Sequence, residues 1–86
     1  MTLDEFMKVS LMENEPVVFP NPVLGQNKIN IDFVDEIVAT MLYDFNGRLV
    51  GQWNSESILL NELRPGIYFL SIKTSTQVFK EKLVIL

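Results

Sequence analysis

The chain contains no cysteine and no histidine. Without cysteine there is no disulfide, no thiolate nucleophile and no zinc–thiolate site. Without histidine the commonest general base and metal ligand are missing, and no Ser-His or Cys-His triad can be assembled. Glycine is sparse: four residues, scattered singly at turns, which leaves no phosphate-cradling loop. No apolar run approaches the ~20 residues of a membrane-spanning helix. The opening "MTLDEFMKVSLMENE" lacks the basic-then-apolar order of a signal peptide. Basic residues are few, seven against eleven acids, giving a net charge of −4. That balance argues against a nucleic-acid partner, because phosphate binding needs clustered Lys and Arg.

What is present suits one small domain. The 86 residues are 48% hydrophobic and 21% charged, a globular composition. A chain of this length buries roughly 60–65% of its unfolded surface, so modest stability is expected. The excess acid is local. Asp4, Glu5, Glu13 and Glu15 face a single Lys8 in the first sixteen residues, whereas residues 17–86 are nearly balanced. Residues 1–16 are therefore expected to be an acidic linker or N-terminal extension, and 17–86 the folded domain. Thr2 and Glu5 fit a capping box, and Leu3, Phe6, Met7 and Leu11 share a helical face. An isolated helix so short is marginal, so a linker is the preferred reading.

From Val17 onward the pattern has the period of strands. "KINIDF" alternates, placing Ile29, Ile31 and Phe33 on one face. "EIVATMLYDF" is apolar on both faces, as a central strand requires. Asn46-Gly47 predicts a type I′ hairpin turn with positive φ at both residues, returning along Leu49–Trp53. "SILLN" is a short strand and "LRPG" a turn in which Pro65 presets φ. "GIYFLSIKT" is β-branched and aromatic, and a hairpin at Ser75-Thr76 leads into "VFKEKLVIL". Six or seven short strands at regular spacing predict an all-β antiparallel sandwich, with a small barrel as the alternative.

Candidate sites are few. Asp32, Asp35 and Glu36 could act as paired carboxylates or calcium ligands, but a solvated acidic turn explains them better. No metal or cofactor is expected. Most aromatics should serve the core. Trp53, at a strand end among polar residues, is the candidate exposed binding aromatic. Lys80 and Lys82 share a strand face opposite Glu81, where they could simply protect an edge.

Four stretches, taken in order, carry a resemblance: "VVFPNPVLGQNKINIDF", "ATMLYDFNGRLV", "LLNELRPGIYFLSIKT" and "VFKEKLVIL". Together they cover about residues 17–86, and the sequence resembles the C-terminal sorting domain of the type IX (Por) secretion system of Bacteroidetes. The resemblance implies an immunoglobulin-like sandwich of about seven strands with no catalytic role. It also implies an address that directs a passenger protein through the periplasm and across the outer membrane, to the surface or the medium. The implied partners are the type IX outer-membrane translocon, a surface sortase that cuts before Val17, and an upstream passenger domain. Residue by residue, the motif positions are Pro20, Asn21, Pro22 and Gly25, then Gly66 and Tyr68, then Lys80 and Lys82. The chain departs from the family in stopping at "LVIL" instead of ending in basic or polar residues. The motif positions have folding roles as well. Pro22 suits a strand entry, Gly66 a tight turn, and Tyr68 a core position with its hydroxyl paired. The competing reading is a structural or adhesive immunoglobulin-like domain binding a surface protein or carbohydrate, favoured if aromatics cluster around Trp53.

Overall fold

The computed structural model describes residues 15–24, 28–60 and 63–86. It is all-β. Seven strands follow in chain order: β1 Val17–Phe19, β2 Lys28–Asp32, β3 Ile37–Tyr43, β4 Leu49–Trp53, β5 Ser57–Leu59, β6 Gly66–Thr74 and β7 Val78–Ile85. They form two antiparallel sheets, one ordered β1-β2-β5 and one ordered β4-β3-β6-β7. Two packed antiparallel sheets give the sandwich-like architecture that the strand spacing predicts.

The alternation read from the sequence is what closes the core. Ile29 and Ile31 of β2 and Ile58 of β5 face Leu42 of β3, Leu70 and Ile72 of β6, and Leu83 of β7. Period 2 puts these residues on the inner faces, and each is at most 4% exposed. Burying such side chains contributes roughly 1.5–3 kcal/mol apiece, which offsets the ordering entropy of so short a chain. β3 is the central strand its two-sided apolarity predicted, lying between β4 and β6. Thr40 and Thr74 are the buried polar residues among those described. The Thr40 hydroxyl donates to the Trp53 carbonyl at 3.3 Å, and the Thr74 hydroxyl accepts the Gln77 N–H at 3.1 Å, closing the β6–β7 hairpin.

The β3–β4 hairpin differs from the type I′ expectation. The Gly47 N–H donates to the Asp44 carbonyl and the Asp44 N–H to the Arg48 carbonyl, both at 2.9 Å. The central turn residues are therefore Phe45 and Asn46, with Gly47 following at φ +83°. This is a three-residue loop ending in a left-handed glycine, and a register shift between Leu42 and Tyr43 accompanies it. The Asp44 carboxylate decides the outcome. It accepts the N–H groups of Asn46 and Arg48 at 2.9 Å each, an Asx turn that fixes the chain one residue earlier than Asn-Gly alone would. The capping box at Thr2 and Glu5 and the apolar face Leu3, Phe6, Met7 and Leu11 lie outside the described residues, as does Gly25.

Candidate recognition site

Pro20, Asn21 and Pro22 form the passage from one sheet to the other. β1 ends at Phe19, paired with Asn30 of β2. Four residues later Val23 forms a parallel bridge with Ile85 of β7, in the opposite sheet. Both proline peptide bonds, Phe19–Pro20 and Asn21–Pro22, are cis. Between them the Asn21 side chain works as a substitute peptide unit. Its Nδ2 donates to the Lys82 carbonyl at 2.8 Å, and its Oδ1 accepts the Val84 N–H at 3.1 Å. Val23 continues the ladder: its N–H donates to the Val84 carbonyl, and its carbonyl accepts the Leu86 N–H, both at 2.8 Å. The prolines bring no N–H groups to be satisfied at this crossing. The motif thus covers the outer edge of β7 from the Lys82 carbonyl to Leu86.

Tyr68 is buried at 8% exposure, its ring in the core and its hydroxyl donating to the Arg64 carbonyl at 2.7 Å. That bond ties the start of β6 to the loop entering it. Gly66 opens β6 at φ +156°, a conformation L side chains rarely adopt, although nothing within 4 Å would obstruct a Cβ. Its requirement is conformational and not steric.

Lys80 and Lys82 are different in kind. Both are exposed, and both lie on the outer face of the four-stranded sheet, opposite Ser71 and Phe69 of β6. Among the described residues the ion pair present is Arg48 with Asp44, at 3.8 Å, so neither lysine is neutralised by a carboxylate there. Glu81 points the other way. Burial pushes its carboxyl above the ordinary value, and repulsion from Glu15 adds to the rise. No group of acids capable of holding a metal ion occurs among the described residues, so Asp32, Asp35 and Glu36 form no such cluster.

Trp53 is half-buried and packs against the core. Its six-membered ring lies directly over Gly51, where an added Cβ would overlap it. Trp53 also borders a shallow depression with Val38, Ala39, Gln52 and Asn54. A second aromatic feature lies elsewhere. Phe45, in the β3–β4 loop, stacks on Phe69 with centroids 6.4 Å apart and planes at 26°. Phe69, Tyr43, Gly47, Ser71 and Lys80 line an open cavity of about 450 Å³ on the outer sheet face. Sequence reasoning placed most aromatics in the core and did not separate Phe45 and Phe69 from the rest. The signal was available for Phe69, because alternation from the buried Tyr68 and Leu70 places it outward.

No curated protein sequence matches the chain. Residues 17–86 match the model of the family described as the secretion system C-terminal sorting domain. The match begins at the first residue of β1 and runs to Leu86, taking in the seven strands of the described residues. The chain therefore belongs to the C-terminal sorting domain family of type IX secretion, and its function is that of a C-terminal sorting signal for that secretion system.

Proposed function

We propose that the family's motif positions divide into a folding set and a recognition set. Pro20, Asn21, Pro22, Gly66 and Tyr68 build and close the sandwich, while Lys80 and Lys82 are read by the outer-membrane translocon. The carrying observation is where the polar atoms go. The Asn21 amide and the Tyr68 hydroxyl are spent on intramolecular bonds. The two lysines are exposed and without a carboxylate partner among the described residues. Nothing in the packing of β7 calls for two cations on one face.

The sandwich is read here as immunoglobulin-like. Support comes from the strand order β1-β2-β5 against β4-β3-β6-β7, and from a tyrosine near the start of β6 whose hydroxyl reaches back four residues. Residues 1–16 are the acidic linker to an upstream passenger, and a surface sortase cuts within it, before Val17.

The test fuses residues 1–86, linker included, to a reporter carrying an export signal, in a bacterium with a working type IX system. The expected result is reporter at the surface or in the medium, released with a new C-terminus upstream of Val17. Reporter retained in the periplasm would contradict the proposal.

A further inference from the structure

We infer that the uncovered part of the β7 edge, Val78–Lys82, accepts an extended acidic segment of a partner protein as an added strand. This deepens the proposed reading and rests on it, since it names the chemistry that Lys80 and Lys82 would select.

The geometry comes from the Asn21 clamp. The Lys82 carbonyl and the Val84 N–H point away from β6, because Asn21 holds them. The unbroken register from Gly66↔Ile85 to Lys73↔Val78 carries the alternation back along the strand. The N–H and carbonyl of Lys80, and the N–H of Lys82, therefore point outward as well. β7 is the last strand of its sheet, and its described partner on that side is the Val23 bridge near its end. The motif covers the C-terminal half of the edge, and among the described residues no strand pairs with the half beside the lysines. Unpaired main-chain groups of this kind are what strand addition uses.

The side chains define the guest. A strand laid beside β7 would place two alternate residues next to Lys80 and Lys82 on the outer face, at cross-strand contact distance. Acidic residues there match the lysines. The intervening guest residue faces the side of Phe79 and Glu81. Phe79 packs edge-on against Phe33 at 5.2 Å, and Glu81 already experiences repulsion from Glu15. That position calls for an uncharged apolar residue. The recognised pattern is acid, apolar, acid. A second copy of this chain fits poorly, because antiparallel β7–β7 pairing sets lysines against lysines.

The test uses the isotopically labelled 86-residue chain and an acetylated, amidated octapeptide of alternating glutamate and valine, followed by NMR. The expected result is saturable shifts, and slowed amide exchange at Lys80 and Lys82. Binding should fall roughly tenfold in K80E/K82E, the size of effect two exposed ion pairs can supply. A lysine–valine peptide should not bind. Equal binding by a proline-interrupted peptide of the same charge would overturn strand addition in favour of simple charge attraction. Shifts at these amides that depend on protein concentration without peptide would make the occupant a second copy, also overturning the inference. Absence of peptide binding, with secretion still lost on lysine replacement, would reject the added strand while leaving the recognition reading in place.

Discussion

The Asn21 side chain takes the place of a peptide group beside Val84. Its Oδ1 accepts the Val84 N–H at 3.1 Å while its Nδ2 donates to the Lys82 carbonyl at 2.8 Å. Replacing it tests whether the motif is a clamp. N21A should cost about 1–3 kcal/mol, the range expected for two hydrogen bonds at a partly solvated edge. N21D keeps the acceptor and loses the donor, so it should fall between. Urea denaturation gives the stability, and amide exchange at Val84 should accelerate in N21A before the core amides respond.

The hydroxyl of Tyr68 makes a separable contribution. Y68F keeps the buried ring and removes the donor to Arg64, leaving that carbonyl to find water. The expected loss is about 1 kcal/mol, seen as a lower denaturation midpoint with an unchanged slope. A larger loss is expected for Y68A, about 3–5 kcal/mol, because the ring leaves a cavity.

Gly51 and Trp53 form a pair in which one residue must be small because the other is large. G51A drives a methyl group into the indole and should displace the ring from its place against the core. A destabilisation of about 1–3 kcal/mol follows from overpacking. Trp53 is the only tryptophan, so its fluorescence reports the displacement directly as a red shift. Unchanged emission would place the ring elsewhere.

Much of this arrangement was legible in the sequence, for a physical reason. Strand alternation is local, so Ile29, Ile31, Leu70 and Ile72 could be assigned to the inner face from their neighbours alone. β4 and β6 begin and end where the pattern places them. The role of Asn21 was not legible, because its partners lie 61 and 63 residues further along the chain. No window of sequence contains that contact. The hairpin at Asn46-Gly47 was placed correctly but shifted by one residue, because the Asp44 carboxylate outcompeted the dipeptide's intrinsic preference. Trp53 was singled out for its polar neighbours. It is half-buried in the fold; the stacked pair Phe45 and Phe69 was not legible, because it is joined only once the loop folds back on the sheet.

Glu81 gives the fold a pH dependence of definite sign. Its folded-state pKa lies above the ordinary 4.5, through burial first and Glu15 second. The native state therefore holds the proton more tightly than the unfolded chain. Stability contributed by the protonated form is lost as pH rises above about 4.5 through the raised value. E81Q should be more stable than the parent at pH 7, with the difference vanishing at pH 3. E15Q should reproduce part of the gain. A variant that loses stability at pH 7 would contradict the assignment.

Delivery of the reporter fusion carrying K80A/K82A tests most directly whether the lysines are read while the rest of the motif folds. The account predicts a thermal midpoint within a degree or two of the parent, because exposed, unpaired lysines contribute little to stability. It also predicts that the reporter accumulates in the periplasm instead of reaching the surface. A variant equally stable and delivered to the surface as well as the parent would contradict it.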